Sequence, residues 1–300
     1  MIWQEAIKNA ALRFEQTEIP DARTNAEHLA LYILGFWNKS ELQKYQSITL
    51  SQEQQIKFEE AVTRRIDHEP LQHIIGETEF FGLRFFTSSA ALIPRSDTEI
   101  LVEEVLKDVN RRLSIVDSHQ TFRKNPLYIL DIGTGSGAIA IALGSKLPDA
   151  IITGIDISPY AIALANKNKE RMKIENVSFE IGDIFDEEIS KKFSLSLDLL
   201  VSNPPYISIE EFETLDKEVR DFDPRIALTD EGDGLRFYRR IAELAPKVLK
   251  PEGKIFVEIG YNAIKHVEKI FSDAGLIVVR KVKDLQGIER VIVVQENPIP

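Results

Sequence analysis

The run Leu200-Val201-Ser202 is followed by Asn203-Pro204-Pro205-Tyr206, an odd way to finish a strand. Proline has no N–H for a sheet ladder, so the two prolines stop the strand and leave a carboxamide and a phenol at its tip. Those groups suit a particular chemical problem. An amide or amino nitrogen attached to a planar group is a poor nucleophile, because its lone pair is delocalised. Two acceptors aimed at its N–H bonds fix its plane and draw electron density onto nitrogen. Asn203 offers its side-chain carbonyl, with the NH2 available to hold an oxygen of the substrate. The Pro204 carbonyl offers the second acceptor, its direction fixed by the stiff Pro204-Pro205 step. Tyr206 can pack on a planar group. The plain alternative is a proline-ended strand with no chemistry.

A second group of residues could hold a ligand beside that tip. Gly133, Gly135 and Gly137 in "LDIGTGSGAIA" stand between an apolar strand and a helix, where glycine lets the backbone turn tightly and a ligand lie against it. The spacing also fits a dinucleotide fingerprint, and a tight turn that binds nothing is a further reading. Asp156, ending "IITGID", can accept two hydrogen bonds from a ribose diol. Asp183, in "GDI", can accept from the exocyclic amine of an adenine. Each alone could be a loop carboxylate or a helix cap. All of them fall at carboxyl ends of strands, where open α/β sheets bind ligands.

The elements that position them read as follows. "LYILDIG", "IITGIDI", "VSFEIGDI" and "LDLLVSN" alternate with helical stretches such as "AIAIALGSKL" and "PYAIALANKNKERM", and "KIFVEIG", "LIVVRKV" and "RVIVVQE" come later. That alternation predicts a parallel sheet with helices on both faces. The first 75 or so residues read instead as short helices. Trp3, Ile7, Ala10, Ala11 and Phe14 share one face, Asp21 is placed to cap a second helix and Ser40 a short one, and Ser51 with Gln54 has capping-box spacing. "FFGLRFF" suits a hairpin joining the two regions, and Ser96 with Glu99 spells a capping box for a helix to about Leu113. Polar "DSHQTFRKNP" (117–126) predicts a surface loop. The resulting domains are 1–78 helical, 79–93 a hairpin linker, and 94–300 the α/β unit.

Composition narrows the partners. The 300 residues carry 37 basic and 48 acidic side chains, net −11, which opposes a polyanionic partner. With no cysteine, disulfides and thiolate chemistry are excluded, and five scattered histidines lack metal-ligand spacing. No apolar run approaches the roughly 20 residues that span a bilayer. The expectation is a soluble cytoplasmic protein without metal.

Taken together, the glycine loop, two acidic strand ends and "NPPY" resemble the S-adenosylmethionine-dependent methyltransferases, a Rossmann-like, doubly wound α/β fold. The match then tightens along nearly the whole chain. "EPLQHIIGETEFFGLRF", "LIPRSDTEILVE", "DIGTGSGAIAIAL", "VSNPPYI", "EVRDFDPRIAL", "DGLRFYRRI" and "KDLQGIERVIVV" follow in the order of the HemK/PrmC family. Its members are glutamine N5-methyltransferases that modify the Gly-Gly-Gln loop of peptide chain release factors. The resemblance implies that Gly133, Thr134, Gly135, Ser136, Gly137, Asp156, Asp183, Ile184 and Asn203 line the S-adenosylmethionine site. It implies that Asn203, Pro204, Pro205 and Tyr206 hold the glutamine, that Phe81, Arg95 and Glu99 border its channel, and that the helical domain docks the release factor. Ile184 stands where the family often has an aromatic residue, which implies weaker stacking on adenine. The rival reading is an adenine-N6 methyltransferase of DNA or RNA, since that amine presents the same two N–H bonds. Base flipping calls for basic surface that this acidic chain does not advertise.

Overall fold

A computed structural model describes residues 1–116 and 126–297; all but Pro126 of the loop expected at 117–126 lies outside the described residues. The chain separates into two compact units. One contains Met1–Glu77 together with Asp216–Phe222, the other Thr78–Leu215 and Asp223–Pro300.

The first unit is helical: Trp3–Gln16, Ala22–Leu34, Lys39–Tyr45, Gln52–Ile66, Leu71–Ile75 and, from much later in sequence, Lys217–Phe222. Trp3, Phe14, Leu29 and Val62 have no exposed surface, and the Trp3 ring meets Phe58 edge-on at 5.5 Å. The Ser51–Gln54 capping box forms as its spacing predicts. Two expected caps do not. Asp21 sits at φ 50° with no side-chain cap bond, and Asn38, not Ser40, caps its helix by accepting from the Ser40 N–H. Arg65, 2 % exposed, is the unit's central cation. It donates to Asn25 Oδ1 (2.8 Å), the Glu69 carbonyl (2.9 Å) and Glu218 Oε2 (2.7 Å), which fastens Lys217–Phe222 into this unit.

The second unit begins with a hairpin, β1 (Glu77–Phe80, whose first residue belongs to the other unit) and β2 (Leu83–Phe86). Phe81 and Gly82 between them both have positive φ, the two-residue turn that matches strand twist. Phe80 and Phe85 are wholly buried among Leu101, Val102 and Val105, so the hairpin is part of this unit's core. Ser96 does not open a capping box. Ser96–Thr98 is a 3-10 turn, the helix runs Glu99–Val116, and Glu99 Oε1 instead accepts the Phe81 N–H at 2.7 Å.

The main sheet contains β3 (Tyr128–Ile132), β4 (Ile151–Asp156), β5 (Val177–Ile181), β6 (Leu197–Ser202), β7 (Leu249–Glu258), β8 (Leu276–Lys283) and β9 (Glu289–Glu296), ordered β5-β4-β3-β6-β7-β9-β8. The first five are parallel; β9 runs antiparallel to β7 and β8. Leu130, Leu200, Ile255 and Ile292 face one packed side, Ile129, Leu199, Phe256 and Val291 the other. Burial on both faces explains why these strands read as continuous apolar runs. After β3 the chain winds outward to β4 and β5, then returns to place β6 on the far side of β3. That reversal opens a crevice at the carboxyl ends of β3 and β6, where doubly wound sheets take ligands. Among the described residues no helix is long and apolar enough to cross a membrane.

Candidate active site

The ligand-binding side is built from backbone. Gly133 and Thr134 both donate their N–H to the Ile155 carbonyl at 2.9 Å, which ties the loop after β3 to the end of β4. Gly133, Gly135 and Gly137 have φ of 70°, 55° and 81°, conformations that side chains resist. A Cβ on Gly133 would meet nothing within 4 Å, whereas one on Gly137 would lie 2.7 Å from Phe179 Cζ. Gly133 therefore keeps the cavity floor bare, and Gly137 lets the helix Ala138–Lys146 pack closely. Asp156 Oδ2 accepts the Gly135 N–H and Oδ1 the Ser158 N–H, each at 2.9 Å. Each oxygen retains a lone pair for a diol. Burial raises the pKa of Asp156, and those backbone N–H groups oppose the rise. Asp183 Oδ1 accepts from the Phe185 N–H, which turns the chain at the end of β5.

Asn203 lies one residue past β6. The buried Ser202 hydroxyl bonds to the Ile132 carbonyl at 2.8 Å, which joins the tips of β6 and β3. Asn203 Nδ2 donates to Thr98 Oγ1 at 3.0 Å. Tyr206 does not face the cavity. Its ring is packed where a Cβ on Gly260 would come within 3.0 Å, and its hydroxyl points to Glu258 Oε1 at 3.4 Å. Burial, then the neighbouring Glu258, raises the Tyr206 pKa. Gly234, at φ 75°, fits against the Tyr206 carbonyl, 2.3 Å from where its Cβ would stand. Asp230, 6 % exposed, holds that turn by accepting the N–H groups of Gly232, Gly234 and Arg236.

Both sides open on one cavity of about 590 Å3, within the range of small-molecule sites. Gly133, Thr134, Gly135, Ser136, Asp156, Asp183, Ile184, Asn203 and Pro205 line it; Gly137, Pro204 and Tyr206 are not among the lining residues. Of the three residues proposed for a channel, Arg95 lines the cavity, its guanidinium bonded to Asp223 Oδ2 at 2.6 Å. Phe81 and Glu99 meet each other, but the lining includes neither; Phe80 is there instead. Ile184, 4 % exposed, is largely committed to the core, and the adjacent Phe185 lines the cavity with its ring edge-on to Phe237 at 5.3 Å.

Several contributors escape a linear reading. Asp131, fully buried, accepts the Thr134 hydroxyl at 2.6 Å, and burial pushes its pKa up to about 7. Asn168, also fully buried, donates to the Ser136 and Phe86 carbonyls and accepts the Phe86 N–H, so it supports the glycine loop from the next helix. Glu258, 2 % exposed, has its pKa pushed up to about 7, chiefly by burial. Asp131 and Glu258 each had a visible signal, an acid inside an apolar strand. Thr98 and Asn168 had none.

Residues 124–287 match a methyltransferase domain model, and residues 5–76 match a PrmC N-terminal domain model. A release factor glutamine methyltransferase of Fusobacterium nucleatum subsp. nucleatum is 43% identical over 279 residues, covering 93% of this chain and 74% of that protein. A release factor glutamine methyltransferase of Koribacter versatilis is 34% identical over 294 residues, 98% of each chain. Among solved structures, a ribosomal protein L11 methylase from Lactobacillus delbrueckii subsp. bulgaricus shares 18% identity at a TM-score of 0.43, over 68% of this chain and 81% of that one.

Proposed function

The chain belongs to the release factor glutamine methyltransferase family, and on that premise we propose how its site performs the reaction. The enzyme transfers a methyl group from S-adenosylmethionine to the side-chain amide nitrogen of a glutamine in peptide chain release factors. We take that glutamine to be the one in the Gly-Gly-Gln loop, and the cytoplasm, where translation terminates, as the place of work. The observation that carries the mechanism is the meeting of the glycine loop and Asn203 around one cavity at the sheet's switch point.

The residues present fit the cofactor. Gly133 leaves room for a ligand against the backbone, the two Asp156 oxygens have capacity for a ribose diol, and Asp183 can accept from an adenine amine. When bound, the cofactor supplies a methyl group made electrophilic by its sulfonium. Asn203 Oδ1 and the carbonyl of Pro204, which joins the lining residues Asn203 and Pro205, take the two N–H bonds of the glutamine amide, hold its plane and raise the electron density on nitrogen. One hydrogen of Asn203 Nδ2 goes to Thr98, and the other remains for the glutamine oxygen. No strong base is needed beforehand: formation of the N–C bond would break the sulfonium S–C bond to leave a neutral thioether, and the strongly acidic N-methylated amide would then lose its extra proton to water. Tyr206, held by Gly234, Gly260 and Glu258, fixes the loop that aims these groups.

A glutamine side chain is too small to single out one protein. Specific interfaces bury roughly 1,200–2,000 Å2, so contacts remote from the chemistry must choose the partner. We assign that docking role to the helical unit. The experiment is incubation of a purified release factor with the enzyme and labelled S-adenosylmethionine, followed by peptide mapping. The label is expected on the Gly-Gly-Gln glutamine. A label confined to another residue would overturn the assignment.

A further inference from the structure

The turn after β5 carries Asp183 to the cavity, and β5 is an edge strand, so the sheet supports it from one side only. The Gly182 N–H still reaches the Asp156 carbonyl of β4 at 3.0 Å; from Asp183 onward the chain leaves the strand. Support there comes from the helix Arg236–Val248. Arg240, 7 % exposed and 56 residues beyond Ile184, donates from Nε to the Ile184 carbonyl at 2.8 Å. Its Nη1 and Nη2 reach Glu187 Oε1 at 3.2 Å and the Asp186 carbonyl at 3.4 Å. One turn earlier on the same helix, the Arg236 guanidinium lies 4.2 Å over the Phe185 ring, which Phe237 meets edge-on.

The Ile184 carbonyl and the Phe185 N–H belong to one peptide unit. Its oxygen accepts from Arg240 Nε at 2.8 Å, and its N–H donates to Asp183 Oδ1 at 2.9 Å. The unit is planar and trans, with oxygen and hydrogen on opposite sides, so fixing one end fixes the other. The Asp183 carboxylate is thereby held by one oxygen, and among the described residues Oδ2 takes no hydrogen bond. We propose that Arg240 is a positioning residue: through this peptide it aims Asp183 at the exocyclic amine of the cofactor's adenine. It thus sets how strongly the enzyme prefers an adenosyl cofactor to one lacking that amine. The proposal rests on the assignment of Asp183 to the amine, given above.

A carboxylate on a free turn has to be ordered when the ligand binds, whereas one already held in place does not, and that difference appears as affinity. A cation on the carbonyl also polarises the peptide and strengthens the N–H bond on its far side. Without the guanidinium the unit is free to turn about its flanking bonds, its N–H leaves Asp183, and the carboxylate loses its aim. The rest of the cofactor site does not share this support. Gly133 and Thr134 are tied to the Ile155 carbonyl, and Asp156 is held by the Gly135 and Ser158 N–H groups. The Phe185 ring keeps Arg236 and Phe237, so the cavity wall stays in place. The loss is therefore confined to the recognition of the amine.

The test uses full-length enzyme, with melting curves to establish folding and calorimetric Kd values for two ligands. These are S-adenosylhomocysteine and its analogue with hydrogen in place of the exocyclic amine. Wild type is expected to prefer the first at least about tenfold, the scale of one hydrogen bond to a charged group. Arg240→Met keeps an apolar stem and removes the guanidinium; it is expected to weaken S-adenosylhomocysteine about tenfold and leave the analogue within about twofold. Arg240→Lys keeps the charge but not the planar fork, and is expected to weaken S-adenosylhomocysteine alone, about threefold, which preserves the comparison if Arg240→Met does not fold. Glu187→Gln leaves both carbonyl bonds and is expected within about twofold for both ligands. Equal losses for the two ligands, no loss in the folded Arg240 variants, or a Glu187→Gln as weak as Arg240→Met overturns the proposal. Asp183→Ala, run alongside, separates the two levels. If it keeps the wild-type preference, the assignment of Asp183 fails and the proposal with it; if it loses the preference while Arg240→Met keeps it, only the role of Arg240 fails.

Discussion

The two sides of the cavity are held by different physics. The glycine-loop side is local and made of backbone: Gly133 and Thr134 bond to the Ile155 carbonyl, and Gly135 bonds to Asp156. The Asn203 side is assembled from side chains distant in sequence, with Thr98 105 residues away from Asn203 and Glu258 52 residues away from Tyr206. A site that binds a standing cofactor can be cut into the chain's own turn. A site that must orient an amide needs donors and acceptors from several directions, and those come only with tertiary structure.

Paired glycine substitutions should break this comparison most sharply. Gly234→Ala puts a Cβ against a backbone carbonyl that cannot swing away, at a φ that already strains alanine, and is expected to cost about 3 kcal/mol or more. Gly133→Ala, at a similar φ but in open space, should cost about 1–2 kcal/mol in stability and show its main effect on cofactor affinity. Denaturant melts of the two variants check this; equal costs would erase the contrast.

A second effect is linked to pH. Glu258 has an ordinary pKa of 4.5 when unfolded and about 7 when folded, so between those values the native state holds a proton that the unfolded chain has lost. Its contribution to stability is full below pH 4.5 and is lost as pH rises to about 7. The loss is about 3 kcal/mol at pH 8. Glu258→Gln should therefore gain stability relative to wild type between pH 4.5 and 8, read as the difference in melting temperature. A constant difference across that range would mean Glu258 does not titrate as its burial dictates.

The smallest expected effect lies on the cofactor side. Asp156→Ala removes contacts to the ribose diol, each such bond to a charged group contributing about 1.5–3 kcal/mol, and should weaken S-adenosylmethionine binding at least tenfold. Calorimetry on folded variant reads it directly, and unchanged affinity would take Asp156 out of the site.

Legibility in the sequence follows the same division. Gly133, Asp156 and Asp183 could be found because each sits in a short run whose neighbours announce a strand end. Asn203-Pro204 could be read as chemistry, but what orients it could not, since Thr98 lies in a run that local rules assign to a helix cap. Those rules failed at Ser96 for a tertiary reason: Glu99 is taken by the Phe81 N–H. Lys217–Phe222 gives no local sign that it belongs with Arg65, because the buried ion pair joining them spans 153 residues. The apolar strands were plain because burial on both faces leaves little room for anything else.

Asn203→Ala is the variant that tests the division of labour most directly. Cofactor Kd by calorimetry and the single-turnover rate of methyl transfer to whole release factor should be measured on the same preparation. A Kd within about twofold of wild type and a transfer step at least about a hundredfold slower are expected, because the lost group orients the nucleophile and does not hold the cofactor in place. A folded variant that transfers methyl at the wild-type rate would contradict it.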